Sequence, residues 1–432
     1  MTTTYLKRAT PKSSAPHNDG VRATVERVIE DVRGRGDAAI REYSERFDSY
    51  SPATFQLTAA EIDAAIARVP TQTLEDIRQV QQNIRRFALL QRASLTEFEA
   101  EVEPGVILGQ KNVPIDAVGA YVPGGRYPLL ASAHMTIVTA KVAGVRRVAA
   151  ATPAPGGVIP DASVAAMHIA GADEIYLLGG VQAIAALAIG TETIPPVDMI
   201  AGPGNAYVAE AKRQLFGDVG IDLFAGPTEI LIVADETSDP FIVAADLLSQ
   251  AEHGPDSPAV LVTTSAALGE QVQAEIHRQI GNLSTADTAG AAWRDFGEIA
   301  VTETIDEAFA LADEYASEHV EVLTDDPRRA LKQMKHYGAL FLGENTCVSF
   351  GDKVIGTNHV LPTRKAARYT GGLWVGMYMR TVTYQEITSL DASARLGELC
   401  GRASRAENFE GHARAGDVRV AHAVGERPAW AD

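Results

Sequence analysis

The chain has little cysteine and no long apolar run. Its 432 residues include only Cys347 and Cys400, too few for a disulfide framework or a thiolate zinc cluster. Both lie among apolar or small residues, where a reduced and inert thiol is expected. The sequence contains no run of about 18 apolar residues, the length that could cross a membrane. The first residues lack the apolar segment of a secretory signal. We therefore expect a cytoplasmic protein.

Positive charge is also in deficit. The 56 acidic side chains outnumber the 38 basic ones and give a formal charge of -18. Such a balance repels the phosphates of nucleic acids and the headgroups of anionic membranes. We therefore expect neither nucleic acid nor membrane as a partner, and instead a small-molecule ligand.

The hydrophobic content of 46% is enough for several cores. Residues 21–101 place apolar residues at helical spacing among charged ones. From about Asp116, short β-branched runs alternate with glycine or proline turns and alanine-rich helices, a pattern typical of parallel sheets covered on both faces. Because the alternation restarts near Leu223, the sequence predicts an α/β fold with two Rossmann-like parallel-sheet units. The predicted parts are a helical N-terminal region (1–115), the first unit (116–225), the second unit (226–370) and a C-terminal tail (371–432).

Three glycine-rich turns follow predicted strands, beginning at Pro123, Gly179 and Gly202. Glycine allows backbone amides to approach a pyrophosphate, so these turns suit a dinucleotide. In the third turn Tyr207 stands where the G-x-G-x-x-G pattern needs its last glycine, so an ordinary tight turn remains the alternative. The sequence has no G-x-x-x-x-G-K-[ST] motif, which argues against a P-loop nucleotide hydrolase.

Several nitrogen and oxygen donors occur in patterns typical of metal sites. Gln250 and His253 are three residues apart in the last turn of a predicted helix and share one face. Asp352 and His359 follow a glycine turn, and His412 lies in the tail. A set without thiolate suits zinc, although manganese or cobalt could compete. For any single histidine the alternative is a hydrogen-bonded structural role.

The pair Glu318-His319 lies where a predicted helix ends and a predicted strand begins. A carboxylate beside an imidazole can divide acid and base roles, because one takes a hydroxyl proton while the other activates water. A solvated helix end is the alternative interpretation.

Six motifs resemble the histidinol dehydrogenase family, in order and over nearly the whole chain. They are Tyr121-Val-Pro-Gly-Gly, Ala201-Gly-Pro-Gly-Asn-Ala-Tyr-Val, Phe224-Ala-Gly-Pro-Thr-Glu, Asp246-Leu-Leu-Ser-Gln-Ala-Glu-His-Gly, Ser317-Glu-His and Gly356-Thr-Asn-His-Val-Leu-Pro-Thr. The resemblance implies an NAD-dependent, zinc-containing enzyme that oxidises a primary alcohol through an aldehyde to a carboxylate, with two NAD per turnover.

The resemblance also implies roles for individual residues. It assigns Gln250, His253, Asp352 and His412 to the metal, Glu318 and His319 to catalysis, and Tyr121, Gln182 and Asn205 to the cofactor. It assigns Thr228, His319, Asp352, His359 and Glu407 to the substrate. Family members are intertwined homodimers, so the tail with Glu407 and His412 is expected to reach the neighbouring subunit's site.

Three departures from the family pattern concern the substrate. Val348 stands where histidinol-oxidising members have a glutamate that can pair with the substrate ammonium, Lys353 replaces a tyrosine, and Arg126 extends a glycine turn. Losing an acid and gaining cations favours an anionic ligand, so Lys353 and Arg126 are predicted to bind substrate. The sequence most resembles the branch that oxidises (R)-2,3-dihydroxypropane-1-sulfonate to (R)-3-sulfolactate.

Three alternatives remain open at the level of sequence. Lys353 and Arg126 could be surface residues, with Val348 merely filling space. The substrate could be L-histidinol or another amino alcohol. The chain could also be a non-catalytic metal- or nucleotide-binding protein, which the intact Glu318-His319 pair disfavours.

Overall fold

The computed structural model describes residues 3–10, 19–124, 129–224, 226–428 and 430–431. The strands, in chain order, are β1 (Thr4–Lys7), β2 (Phe98–Glu103), β3 (Val106–Pro114), β4 (Ala117–Tyr121), β5 (Arg147–Thr152), β6 (Glu174–Leu177), β7 (Met199–Ala201), β8 (Gly220–Ile221), β9 (Ile230–Ala234), β10 (Ala259–Thr263), β11 (Gly297–Val301), β12 (His319–Leu323), β13 (Ala339–Leu342) and β14 (Met379–Ile387).

The α-helices alternate with these strands over most of the chain. They are α1 (Asp19–Arg35), α2 (Asp37–Asp48), α3 (Ala59–Arg68), α4 (Thr71–Ala93), α5 (Leu130–Ala143), α6 (Asp161–Ala170), α7 (Gly180–Ile189), α8 (Ala206–Leu215), α9 (Pro240–Ala251), α10 (Ala266–Ile280), α11 (Ala286–Phe296), α12 (Ile305–Tyr315), α13 (Ala330–Gln333), α14 (Val348–Lys353), α15 (Leu390–Ala406) and α16 (Glu410–Ala423). None of the helices in the described ranges is long and apolar enough to cross a membrane.

Five strands form a wholly parallel sheet in the order β6-β5-β4-β7-β8. Most residues of β4, β5 and β6 are buried, as expected for a sheet covered on both faces. From β4 the chain adds β5 and β6 on one side of this strand, and then β7 and β8 on its other side. The strand order therefore reverses between β4 and β7, which opens a crevice at their carboxyl ends.

Six strands form a mixed sheet in the order β1-β11-β10-β9-β12-β13. β9 to β13 are parallel, and β1 pairs antiparallel with β11 at the edge. Ile230 and Ile232 of β9 face one hydrophobic core, while Leu231 and Val233 face another on the opposite side. The alternation of buried side chains is why β9 is apolar at every position. Here too the strand order reverses, between β9 and β12.

Contacts within the chain divide it into two compact units. Unit 1 comprises Met1–Arg92 and Ile115–Tyr378 and contains both large sheets, while unit 2 comprises Ala93–Pro114 and Met379–Asp432. Unit 2 is an antiparallel sheet in the order β14-β3-β2 with the helical hairpin of α15 and α16. The hairpin helices pack closely because glycine lies at the crossing: a Cβ on Gly397 would come within 2.6 Å of the Gly416 carbonyl oxygen.

The predicted α/β class is confirmed. The interpretation of the sheets as two Rossmann-like units, of 371–432 as a dimerisation tail, and the four-part division remain predictions. The structure differs from that division in one respect, because β2 and β3 of the predicted helical region pair with β14 of the predicted tail. β2 and β3 follow directly on the helical spacing of α4, and β1 pairs with β11, a strand distant in sequence, so neither feature was predicted.

Candidate active site

Glu318 and His319 are buried at the amino end of β12. Glu318 is 6% exposed and His319 2% exposed, which is not the position of a solvated helix end. One Glu318 carboxylate oxygen, Oε2, accepts hydrogen bonds from Thr228 Oγ1 (2.7 Å) and from the backbone N–H of Glu229 (3.0 Å). Burial raises the pKa of Glu318 to about 7, against the opposing effects of His319 and these hydrogen bonds. A carboxyl with such a pKa can exchange protons near neutral pH.

The His319 ring is oriented by one hydrogen bond. Its Nδ1 lies 3.0 Å from the carbonyl oxygen of Glu229, and because a carbonyl can only accept, Nδ1 carries a proton. Its Nε2 lies 3.3 Å from Asp352 Oδ1 but has no hydrogen-bond partner among the described residues. Burial alone would lower the pKa of His319, yet the carboxylates of Glu318 and Asp352 outweigh it and raise the pKa to about 9.

Three of the four predicted metal ligands converge beside this pair. Gln250, in the last turn of α9, donates from Nε2 to Asp352 Oδ2 at 3.0 Å. His253 lies just past the end of α9 rather than within it, and its Nε2 is 4.0 Å from the same oxygen. Burial would raise the pKa of Asp352, but His319 and Gln250 help hold it well below its usual range. Asp352 is therefore an anion at the centre of the cluster.

The fourth predicted ligand, His412, lies on α16 of unit 2 with its ring 5.4 Å from that of Phe409. Glu407, predicted to bind substrate, follows α15 in the same unit, and both side chains are exposed. The other described candidates belong to unit 1. The proposed contribution of His412 and Glu407 to the site remains a prediction.

The donor set nevertheless fits a divalent cation. In the part of the chain that the structure describes, no three His, Cys, Asp or Glu side chains already form a metal-binding group. Two imidazole nitrogens, His319 Nε2 and His359 Nε2, are buried without a hydrogen-bond partner in these same ranges. A carboxylate, an amide and imidazoles are donors that zinc and similar ions accept. The residues thus match the chemistry of the predicted site.

A cavity of about 500 Å³ opens beside the cluster. Its walls include segments of α4 and α5, and its polar lining contains Thr228, His253, Glu318, His319, Asp352, Lys353 and His359. Burial lowers the pKa of His359 to about 4, so this ring is neutral. The cavity is large enough for a small substrate and joins the predicted catalytic, metal and substrate residues of unit 1.

The substrate prediction depends on three residues that depart from the family pattern, and they differ in their position relative to the cavity. Lys353 is exposed and lines the cavity. Val348 is fully buried in the hydrophobic core around Phe341 and is not among the cavity-lining residues of the described ranges. Arg126 lies outside the described residues. Of the two residues that the structure describes, Lys353 and not Val348 is therefore placed where it could contact a substrate.

The predicted cofactor residues lie at the carboxyl end of the five-stranded sheet. Tyr121 ends β4, and its hydroxyl accepts a hydrogen bond from the backbone N–H of Gly180 (3.1 Å). Gln182 is buried in the first turn of α7. Asn205 caps α8 by accepting hydrogen bonds from the N–H groups of Tyr207 and Val208. Tyr121 and Asn205 lie at β4 and after β7, the two strands that border the crevice, whereas Gln182 follows β6 at the edge of the sheet.

The glycine turn before Asn205 is held by a buried ion pair that the sequence analysis missed. Lys212 pairs with Asp222 and also donates to the Gly202 carbonyl oxygen (3.0 Å), while Asp222 Oδ2 accepts the Gly202 N–H (2.7 Å). Gly202 has φ +123°, and a Cβ there would lie 2.1 Å from the Tyr121 carbonyl oxygen. The turn therefore requires glycine. A lysine within an amphipathic helix gives no sequence sign of such a role.

A second omission is His134, a cavity-lining residue of α5 whose ring contacts Gln81 of α4. A lone histidine in an apolar helix carries no spacing that distinguishes it from a structural residue. Its contact becomes apparent only once α4 and α5 are placed beside the cavity.

The comparisons with known proteins agree with this geometry. Residues 12–420 match the family described as histidinol dehydrogenase. The chain is 55% identical over 417 residues to a "Histidinol dehydrogenase homolog" of Shouchella clausii, covering 96% of this chain and 98% of that protein. It is 49% identical over 424 residues to a "Sulfopropanediol 3-dehydrogenase" of Ruegeria pomeroyi, covering 98% and 97%. The crystal structure of histidinol dehydrogenase from Elizabethkingia anophelis matches with a TM-score of 0.89 at 33% identity, covering 95% and 94%.

These matches span nearly the whole chain and include a solved structure with the same fold. Members of the family are NAD-dependent dehydrogenases that act on CH–OH donors and oxidise the alcohol through an aldehyde. The chain belongs to the histidinol dehydrogenase family and is an enzyme of this class.

Proposed function

We propose that this enzyme oxidises a small anionic primary alcohol to a carboxylate, and specifically (R)-2,3-dihydroxypropane-1-sulfonate to (R)-3-sulfolactate. The observation that carries the proposal is the position of Lys353. It directly follows the buried anion Asp352 and lines the cavity that also contains Glu318 and His319. An ammonium at this position can pair with a sulfonate on a substrate whose hydroxyl end faces the catalytic pair. The relative named sulfopropanediol 3-dehydrogenase supports the same substrate.

The overall reaction consumes one alcohol, one water and two NAD⁺, and yields a carboxylate, two NADH and three protons. In the first step, His319 takes the hydroxyl proton as hydride leaves the carbinol carbon for NAD⁺, giving the aldehyde. Glu318 then takes a proton from water as the water oxygen adds to the aldehyde carbon. This addition gives the monoanion of the hydrate. The second hydride leaves that monoanion for a second NAD⁺, and the carboxylic acid so formed releases the third proton. Burial of both residues favours these transfers by excluding bulk water.

Gln250, His253 and Asp352 are proposed to hold zinc together with His412 of the partner subunit. When bound, the divalent cation would compensate the charge of Asp352, lower the pKa of the adjacent His319 and polarise the substrate hydroxyl. Thr228 is proposed to contact the substrate, as its hydroxyl already lies between Glu318 and Gln250. His359 would contribute a neutral imidazole to the same wall.

Tyr121, Gln182 and Asn205 are proposed to bind NAD at the carboxyl end of the five-stranded sheet. The crevice at a strand-order reversal is the usual place for a nucleotide in an α/β sheet. The tight turn at Gly202 lets the backbone approach a pyrophosphate closely.

Steady-state formation of NADH tests the substrate. Zinc-loaded enzyme is assayed with the sulfonate diol and with L-histidinol at matched concentrations. We expect turnover of the diol with two NADH per 3-sulfolactate formed. Lys353→Met should raise KM for the diol by about 10- to 100-fold, since a charged hydrogen bond is lost, whereas Lys365→Met, at an exposed lysine outside the cavity lining, should not. Turnover of L-histidinol alone would refute the proposal.

L-histidinol remains the second candidate because of one acidic residue. Asp76 of α4 also lines the cavity, and it is exposed there. Its carboxylate could pair with the ammonium of L-histidinol. It could not pair with the sulfonate of the diol, because both groups are anions. If L-histidinol is the substrate, Asp76→Asn should raise its KM while Lys353→Met leaves it unchanged. The two variants therefore separate the candidates by opposite patterns.

We propose further that the enzyme is a homodimer with shared active sites. Support comes from the surface of unit 2, where large apolar side chains are exposed on both the sheet and the helical hairpin. Among them are Phe98, Val102, Leu399 and Phe409, each more than half exposed. Exposed apolar surface of this kind is typical of an interface. We propose that a partner subunit covers this surface and that His412 and Glu407 contribute to the neighbouring site.

Mixed dimers test this sharing. Subunits carrying His319→Asn are unfolded and refolded with an equal amount of subunits carrying His412→Ala. If His412 acts across the interface, half of the dimers contain one native site, so about a quarter of wild-type activity returns by symmetry. If His412 acts within its own subunit, no native site forms and the mixture stays inactive. Sedimentation of the mixture confirms that dimers are present.

A further inference from the structure

Gln81 and His134 form a buried polar contact on the wall of the cavity. Gln81 lies on α4 and His134 on α5, and each is 4% exposed. The Gln81 amide nitrogen lies 2.8 Å from the carbonyl oxygen of Ala166 on α6 and 3.0 Å from His134 Nδ1. Three helices, α4, α5 and α6, thus meet at one amide group.

This contact determines which nitrogen of His134 carries the proton. A carbonyl oxygen can only accept, so the Gln81 atom that faces Ala166 must be the NH₂ group. The same NH₂ faces His134 Nδ1, which must therefore accept. The ring is then neutral with its proton on Nε2. Burial, followed by the neighbouring His359, lowers the pKa of His134 to about 4, in agreement with a neutral ring.

The other edge of the ring is left for the cavity. His134 lines the cavity with Glu318 and His319. The segment bearing His359 packs against the same helix, because the His359 N–H contacts Met135 Sδ (3.0 Å) and the Asn358 side chain donates to the Met135 carbonyl oxygen (3.0 Å). With Nδ1 occupied by Gln81, the Nε2–H is the polar group that His134 can offer to a ligand.

We propose that His134 is a specificity-determining residue whose Nε2–H donates to an oxygen of the substrate's anionic end, and that Gln81 is the positioning residue that fixes this tautomer. The inference rests on the proposed function, because a sulfonate accepts hydrogen bonds whereas an ammonium only donates them. His134 and Lys353 line the same cavity, so a directional neutral donor and a positive charge can together select an oxyanion.

Kinetics with the sulfonate diol test the role of His134 in the zinc-loaded, full-length enzyme. His134→Leu should raise KM by about 10- to 100-fold, the loss expected for a hydrogen bond to a charged group, with kcat within about threefold. His134→Gln can place an N–H near the position of Nε2 and should restore most of the affinity. The matched control is His168→Leu on the neighbouring α6, an exposed histidine, which should leave KM unchanged. Calorimetric binding of the diol without NAD gives the same comparison without turnover.

A double-mutant cycle tests the role of Gln81. Gln81→Leu should raise KM by a smaller factor than His134→Leu, because the ring remains but its tautomer is free. In the His134→Leu background, removing Gln81 should raise KM no further, since it acts through the histidine. If Gln81 only packs α4 against α5, the losses of thermal stability in Gln81→Leu and His134→Leu should add in the double variant, and this pattern in KM should be absent.

The outcomes separate this inference from the proposed function. If wild-type enzyme turns over the diol and His134→Leu leaves KM and calorimetric affinity within twofold, the inference is overturned and the proposed function stands. If the wild type oxidises L-histidinol and not the diol, both fall. Should His134→Leu fail to fold, His134→Gln and His134→Asn replace it, since only the former can place its N–H near Nε2; equal affinities for those two variants would also overturn the inference.

Discussion

The two large sheets of unit 1 share a strand order but present opposite ends to the candidate site. In each sheet the chain winds outward from a central strand, β4 or β9, and then returns to that strand's other side. In the five-stranded sheet the predicted cofactor residues follow the carboxyl ends of the strands. In the six-stranded sheet Thr228 precedes β9 and Glu318 precedes β12, so the predicted catalytic residues lie at the amino end.

The carboxyl end of the six-stranded sheet is closed by local hydrogen bonds. Asp235, just after β9, accepts the N–H groups of Thr237 and of Asp325, which follows β12, each at 2.9 Å. Ser238 donates to the carbonyl oxygen of Leu323 in the same crevice. The proposed cofactor site thus follows the topological rule that places ligands at a strand-order reversal, while in the six-stranded sheet that position is filled. Topology alone does not locate the chemistry.

The largest expected effect separates the two ends by function. His319→Asn, at the amino end of β12, removes the proposed base and should lower kcat by about 10²- to 10⁴-fold. The affinity for NADH, measured by fluorescence titration, should stay within about twofold, since the proposed cofactor residues lie at the five-stranded sheet. A large loss of NADH affinity with little change in kcat would contradict the proposal that the six-stranded sheet carries catalysis and the five-stranded sheet binds the cofactor.

The next effect concerns the cofactor end. Lys212→Met leaves Asp222 buried without its partner, which should lower the free energy of unfolding by about 3–5 kcal/mol. It also removes a support of the Gly202 turn, so KM for NAD should rise while kcat at saturating NAD changes little. Adding Asp222→Asn should recover part of the stability by removing the unpaired charge. An unchanged KM for NAD would show that the turn does not hold the cofactor.

A third effect concerns the stability of the six-stranded sheet. Glu321 lies two residues beyond His319 in β12, fully buried, and both its carboxylate oxygens lack a hydrogen-bond partner in the described ranges. Burial, and then the charge of Asp246, raises its pKa well above the usual range. The pKa of Glu321 is higher in the folded protein than in the unfolded chain, where it is about 4.3. Its contribution to the free energy of unfolding is therefore fully present below the unfolded pKa and is lost as pH rises toward the folded pKa.

Glu321→Gln removes that pH dependence. Relative to the variant, the wild type should lose up to about 1.4 kcal/mol of unfolding free energy per pH unit across this window. Urea unfolding of both proteins at pH 6 and pH 9 measures the difference. Glu236→Gln, at an exposed glutamate after β9, serves as the control and should show no such trend. Parallel pH profiles for wild type and Glu321→Gln would mean that Glu321 is ionised in the folded protein.

The sequence predicted local features of the site better than their assembly. Glu318 and His319 are adjacent, and Gln250 and His253 are three apart, so spacing alone proposes each pair. Their convergence with Asp352 depends on the pairing of β9 with β12 and on the position of α14, contacts between residues about 100 apart. Hydrophobic periodicity carries no information about such partners, since it reports only which face of an element is buried.

The same limit explains why the strands β1 and β2 were not predicted. β2 reads Phe-Glu-Ala-Glu-Val-Glu, an alternation typical of a strand, but it is short and directly follows α4, so the prediction of a helical region absorbed it. β1 gains its place only by pairing with β11, from Thr4 to Val301. His134 was missed for a related reason: the donor that fixes its tautomer belongs to another helix.

The smallest expected effect tests the cofactor end with a single oxygen atom. Tyr121 is buried, which raises its pKa to about 12, so its hydroxyl is protonated at any assay pH. Tyr121→Phe removes the acceptor of the Gly180 N–H and should raise KM for NAD by about 3- to 10-fold, with kcat nearly unchanged. Thermal unfolding of the same variant distinguishes two roles. If stability falls while KM for NAD stays constant, the hydroxyl only anchors the start of α7, and the carboxyl end of the five-stranded sheet would lose its proposed cofactor contact at Tyr121.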